Sequence, residues 1–411
     1  MSKIKIKNLG PITEGLLGGE EYLDFKKCTI IIGNQATGKS TIAKIISTIT
    51  WIEKSLYKKE IEVSEVTKYR RFRNKYCAYQ GLKDYFRYET YIEYIGDYIT
   101  LTYSEEKTRI SIRQDSSLRP PKIMYVPAER NFLSVVDEPG KLKYLPSPLY
   151  TFLEEFEIAK RQNQTGLPLP INDITFEYQK QTKTSYVKGD HFRVKLSKAS
   201  SGIQSLLPLY LVSKYLSENI NSEQSASSKS ISVDQERQLR KEIDNILSNR
   251  KINSEIREIL ISRLSDIDRN QCFINIVEEP EQNLFPESQK RLLYNLLQFA
   301  NATEGNKLLI TTHSPYILNY VSICIKGHQV KQLLMAKDST EVKEKLFSSI
   351  LPMSSTISSD EVVIYELKHP GIIHRLSEYN GIPSDNNYLN NILKETNMMF
   401  GTLMEIEEEV E

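Results

Sequence analysis

Little in this chain points toward a membrane, a structural metal or a polyanion. No apolar run is long enough to span a bilayer, and Met1-Ser2-Lys3-Ile4-Lys5 opens without the hydrophobic stretch of a secretory leader, so a cytoplasmic protein is expected. Only four cysteines occur in 411 residues. Cys28, Cys77, Cys272 and Cys324 are scattered without the paired spacing of a zinc site, and read as reduced core residues. His328, His369 and His374 lack metal spacing, and no Ser-His-Asp pattern is apparent. A net charge of +1 excludes a globally basic nucleic-acid binder and leaves room only for a local patch. There is no internal repeat.

What is present begins at Gly33-Asn34-Gln35-Ala36-Thr37-Gly38-Lys39-Ser40, followed by Thr41. The spacing of glycine and lysine is that of a phosphate-binding loop. Cys28-Thr29-Ile30-Ile31-Ile32 before it reads as a buried strand, and Ile42-Ala43-Lys44-Ile45-Ile46 after it carries apolar residues at helical spacing. Backbone N–H groups and the positive end of a helix dipole would then surround a triphosphate. Lys39 would reach the β- and γ-phosphates, and the Ser40 hydroxyl would ligate Mg²⁺. ATP with Mg²⁺ is the expected ligand.

A second block, Phe273-Ile274-Asn275-Ile276-Val277-Glu278-Glu279-Pro280-Glu281, is an apolar strand ending in acids. Glu278 is placed to hold Mg²⁺ and Glu279 to orient or deprotonate an attacking water. Leu308-Leu309-Ile310-Thr311-Thr312-His313-Ser314-Pro315 is a further strand, whose His313 could donate a hydrogen bond to a γ-phosphate. A third block, Leu196-Ser197-Lys198-Ala199-Ser200-Ser201-Gly202-Ile203-Gln204, puts hydroxyls and a glycine at a helix start. Alone it reads as an ordinary helix cap.

The order phosphate loop, Ser-Gly-X-Gln, strand-Glu-Glu-Pro and strand-Thr-His-Ser resembles the ABC/SMC-type ATPase superfamily. Ser201-Gly202-Ile203-Gln204 is similar to its signature motif, with Ile203 at a usual glycine. Glu278 to Pro286 resembles its Walker B and D-loop, with Glu278 and Phe285 at positions where transporters carry aspartate. His313 matches the switch histidine. Together with Pro127-Ala128-Glu129-Arg130, the pattern looks most like the bacterial antiphage-defence ATPases: the Septu, retron and PARIS subunits and the ATPase half of OLD nucleases. The resemblance implies that Ser201, Gly202 and Gln204 complete the ATP site of a second protomer, hence at least a homodimer. It also implies slow hydrolysis and a separately encoded effector, a nuclease or toxin. No Gly-X-X-Glu with Asp-X-Asp, as a Toprim nuclease requires, follows His313. An SMC-like DNA-repair ATPase and an ATP-dependent scaffold with negligible turnover are the alternatives; the former lacks its long coiled-coil heptads here.

The expected fold is α/β: an ABC-type P-loop ATPase head with an inserted helical pair and a C-terminal α+β extension. Residues 1–195 would carry the phosphate loop, and 196–330 the signature, Walker B and switch histidine. Residues 331–411 would pack on the core or dock a partner. Residues 42–95 read as mostly helical, 96–114 as a hairpin, 221–233 as a serine-rich flexible stretch and 234–268 as a charged helical pair. Glu361–Leu367 reads as a strand and Asn386–Glu405 as a helix with apolar positions. Lys68 to Tyr76 interleaves bases and aromatics; it is either a nucleic-acid surface or a helix with basic residues lying over packed rings.

Overall fold

The computed structural model describes residues 2–114, 118–137, 139–142, 144–163, 166–220, 270–336 and 341–410. The serine-rich stretch and the helical pair expected over 221–268 lie outside them. The chain opens with β1 (Lys3–Leu9), β2 (Gly15–Leu17), β3 (Leu23–Asp24) and β4 (Cys28–Gly33). Helix α1 (Lys39–Tyr57) follows the phosphate loop, then the short α2 (Val63–Thr67).

Residues 86–95 depart from the helical expectation and form strand β5 (Phe86–Ile95). Phe86, Thr90, Ile92 and Tyr94 are its buried residues, and a period-two face of β-branched and aromatic side chains pairs antiparallel with β1, Ile6 opposite Ile92. The expected hairpin is β6 (Ile99–Ser104) and β7 (Lys107–Ile112), closed by Glu105 and Glu106, both at positive φ. Between α2 and β5 a π-helical turn, Phe72–Cys77, buries Phe72 and Tyr76, while Arg70 and Arg73 share Glu106. Those two bases are committed within the protein.

Next come β8 (Pro121–Val126), the single-turn α3 (Phe132–Val135) and α4 (Ser147–Gln162). A small antiparallel sheet comprises β9 (Leu167–Pro168), β10 (Thr175–Gln179), β11 (Thr184–Lys188) and β12 (Arg193–Lys195). Helix α5 (Ser201–Asn219) precedes β13 (Cys272–Glu278), α6 (Pro286–Asn301), β14 (Lys307–Thr312), α7 (Pro315–Ala336) and α8 (Glu341–Ile350). The chain continues through β15 (Val362–Lys368), β16 (Ile372–Arg375), β17 (Glu378–Tyr379) and β18 (Ile382–Pro383) into α9 (Tyr388–Val410).

The main sheet has seven strands in the order β2-β16-β15-β4-β14-β13-β8. From β15 to β8 all pairings are parallel; β16 runs antiparallel to β15. The parallel strands β4 and β13 are buried along their whole length, as strands covered on both faces must be. Ile30 and Ile32 point into the core beneath α4–α7, and Ile31 into the core shared with α1 and the sheet of β1, β5 and β6. Burying each such side chain is worth about 1.5–3 kcal/mol.

β15 and β16 are integral to this sheet, β15 lying directly against β4. The span 331–411 therefore divides: its strands complete the core, whereas α9 buries Leu389 alone. The four cysteines are buried and free. Among the described residues no helix is long and apolar enough to cross a membrane.

Candidate nucleotide site

Parallel strands end together, so the sheet gathers at one edge whatever follows each strand. β4 delivers Gly33 and the loop to α1; β14 delivers His313; β13 delivers Glu278 and Glu279; β8 delivers Pro127 to Arg130. In the loop Ala36 has φ +60° and Gly38, the residue preceding α1, φ +108° with no side-chain cap on the helix. First-turn amides are thus left for an anion. Gly33 is required sterically: at φ +147° a Cβ would stand 2.5 Å from the Leu367 carbonyl of β15. Thr37 Oγ1 donates to the Asn34 carbonyl at 2.8 Å, and the Gln35 N–H to Asn34 Oδ1 at 2.7 Å.

Lys39 is buried and folded back on the loop, donating from Nζ to the Gly33 and Asn34 carbonyls at 2.9 and 2.7 Å. Burial pulls its ammonium down to about 8, against the upward pull of Glu279, Glu281 and Glu278. Ser40 is exposed at the start of α1, and Thr41 is buried. Glu278 is buried at the end of β13, and its Oε1 has no hydrogen-bond partner. A buried carboxylate oxygen left open beside a lysine fits a Mg²⁺-nucleotide, and Ser40 and Glu278 are the residues that would hold the metal.

Glu279 adopts φ +44°, a strained conformation for a side-chain-bearing residue. Its N–H donates to the Thr311 carbonyl at 2.9 Å, and its carboxylate Oε1 lies 3.6 Å from His313 Nε2. Burial first, then the Lys39 charge, hold the His313 imidazole below its ordinary 6.5, so it is neutral at pH 7. The His313 N–H donates to Glu281 Oε1 at 2.6 Å, which fixes the turn carrying the imidazole. Burial raises the Glu281 carboxyl.

Sequence reasoning assigned no role to Arg130, which the structure makes central. It is fully buried and donates to four carbonyls: Nε to Ser205 at 3.1 Å, Nη1 to Pro127 at 3.2 Å and Glu278 at 2.7 Å, Nη2 to Glu279 at 2.7 Å. One side chain thus ties α5 to the turn bearing both carboxylates. Burial lowers its pKa to about 10. The available signal was an arginine in the turn that follows a parallel strand, Pro127 intervening, at the C-terminal edge of the sheet.

Ser201 is exposed at the first turn of α5. A Cβ on Gly202 would meet the Asn283 carbonyl at 2.8 Å, and Asn283 Nδ2 donates to Ser205 Oγ at 2.9 Å. The start of α5 is therefore seated on the turn after β13. Gln204, expected at the nucleotide, is turned inward: buried, it donates to the Leu196 and Ser197 carbonyls, both at 3.2 Å. Among the described residues no hydrogen bond joins Ser201 or Gly202 to residues 33–41 of the same chain.

Residues 137–318 match a family model described as an AAA ATPase domain, a span that holds the α5 start, the β13 carboxylates and His313. No curated protein matches the chain. Among solved structures, the SMC head domain from Thermotoga maritima is 11% identical with a TM-score of 0.35, covering 77% of this chain and 90% of that one. An Smc head with an extended coiled coil, bound to the C-terminal domain of ScpA derived from Pyrococcus furiosus, is 9% identical with a TM-score of 0.34, covering all of both chains. A dimeric post-hydrolysis ATP-binding cassette bound to ADP and Pi is 10% identical with a TM-score of 0.31, covering 92% of this chain and 100% of that one. The mixed α/β sheet, the phosphate loop between β4 and α1, and the ATPase-domain match define a P-loop ATPase-type fold.

Proposed function

We propose that this chain is an ABC/SMC-type ATPase that binds Mg²⁺-ATP, hydrolyses it slowly and works as a homodimeric, nucleotide-gated clamp. The observation that carries the reading is the assembly of Lys39, Glu278, Glu279 and His313 at one sheet edge, with Glu278 Oε1 buried and unpartnered. Residues 33–39 and the first turn of α1 receive the phosphates, and Lys39 exchanges its two carbonyl partners for them. Bound Mg²⁺ supplies charge neutralisation at the phosphate oxygens. Glu279 accepts the proton of the attacking water, and neutral His313 donates a hydrogen bond to the γ-phosphate.

The exposed Ser201, with no bond to its own phosphate loop, supports its use on the loop of a second protomer. Phe285, 76% exposed beside that surface, offers no carboxylate across it, which favours slow turnover. On the resemblance of its motifs, the clamp controls a separately encoded effector in antiphage defence.

Glu279→Gln is expected to retain and trap ATP while hydrolysis falls about a hundredfold or more. Wild-type turnover in that variant would remove Glu279 from the role and make Glu281 the next residue to test. Chains carrying Ser201→Arg and Lys39→Ala are each expected to be inactive alone and to regain part of the activity when mixed, since one composite site is then intact. Undiminished activity from a strictly monomeric species would refute the composite site.

A further inference from the structure

Behind the phosphate-loop helix, on the side of α1 away from the loop, lies a cavity of about 400 Å³ bounded by α1, the Phe72–Cys77 turn, β8 and α4. Its size falls within the range of small-ligand sites. Two of its lining residues carry polar atoms without a hydrogen-bond partner: the Tyr76 hydroxyl and Gln80 Oε1. Each belongs to a residue only 6% exposed. Buried polar groups are rarely left open, and two around one cavity mark positions that a ligand would satisfy.

The remaining lining defines that ligand. Trp51 and Tyr76 stand with ring centroids 6.0 Å apart and, with Tyr79, give one wall aromatic character suited to a flat ring. Lys54 and Lys75 bring ammonium groups, Lys75 lying 5.1 Å over the Tyr76 ring. Lys54 makes no hydrogen bond or ion pair from its side chain among the described residues; burial draws its pKa down to about 8, and Glu60 pulls it back up. The third lining lysine, Lys122, is already paired with Glu155. Gln80 donates to Ser47 Oγ at 3.2 Å, which leaves its carbonyl oxygen as a fixed acceptor.

We propose that this cavity binds a small aromatic anion, a flat ring bearing one phosphate or carboxylate, with the anionic group on Lys54 and Lys75 and a ring donor on Gln80. The site is distinct from the nucleotide loop and stands whether or not the chain hydrolyses ATP.

Trp51 is the chain's only tryptophan, so its fluorescence reports this cavity alone. The full chain is titrated with AMP and, separately, with 4-hydroxyphenylacetate, each with a donor on its ring, which distinguishes a phosphate from a carboxylate source. Saturable quenching by either probe is expected, unchanged in Lys39→Ala and weakened about tenfold in Lys54→Met through loss of one charge-assisted bond. Should Lys54→Met fail to melt as a folded protein, Gln80→Leu is judged by the same criterion. No saturable change with either probe up to the millimolar range overturns the proposal. So does quenching that disappears in Lys39→Ala, or that survives undiminished in the folded cavity variant.

Discussion

The ligand-binding edge of the main sheet and the last helix, α9, are opposites in how they use buried surface. At the edge, a fully buried arginine is satisfied by four carbonyls, and two carboxylate oxygens, Glu278 Oε1 and Glu281 Oε2, are held without partners. Glu279 is kept at a strained φ. Along α9 only Leu389 is buried, and Met398, Phe400 and Leu403 are 72%, 65% and 65% exposed. Braced by that arginine, the edge spends folding energy on two open carboxylate oxygens and a strained Glu279, as functional sites do. α9 has the apolar spacing of a core helix and no core to meet.

Breaking the edge should cost far more than removing the helix. Arg130→Met takes the side-chain donor from four carbonyls, of which Pro127 and Glu279 keep a backbone N–H, and is expected to destabilise by about 3–5 kcal/mol, read as a large drop in thermal midpoint. Milder is Gly202→Ala, whose Cβ would press on the Asn283 carbonyl; about 1–3 kcal/mol is expected in urea unfolding. At Lys39 the sign is set by a pKa of about 8 in the folded chain against 10.5 ordinarily. Between those values the unfolded chain binds more protons, so Lys39 makes stability rise with pH through this window and exacts its full cost below pH 8. Phosphates need the ammonium, so ATP-analogue affinity should fall as pH rises above about 8, measurable by equilibrium binding at pH 7 and 9. The smallest effect belongs to the helix. A chain ending at Asn391 keeps Leu389 and is expected to lie within about 0.5 kcal/mol of the full chain. A loss of several kcal/mol there would erase the contrast.

Much of the edge was legible because its signals are local. Glycine spacing, a β-branched run and a helical run specify the strand, loop and helix around Lys39, and acids directly after Val277 announce the end of a buried strand. Arg130 was not legible as a clamp, since its partners are carbonyls of Ser205, Glu278 and Glu279, groups every residue has. Gln204 shows the reverse: its position beside Gly202 suggested contact with a ligand, and its amide is bound to the preceding turn. Residues 86–95 were misread because tyrosine and glutamate in FRYETYIEYI suit either state until β1 offers a partner. In α9 the apolar period was read correctly as helix, but periodicity says which residues share a face and nothing of what covers it.

The position of β15 has a consequence for the order in which the protein is made. β4 takes both of its neighbours, β14 and β15, from the second half of the chain. On a ribosome adding about 5–20 residues per second, the strand that carries the phosphate loop emerges early and then waits on the order of tens of seconds for Val362–Lys368. Both its edges are bare until Lys307–Thr312 emerges, one stays bare until Val362–Lys368 follows, and only then does the Leu367 carbonyl that backs Gly33 exist. A nascent chain therefore carries every residue of the phosphate loop long before it has the wall that shapes it.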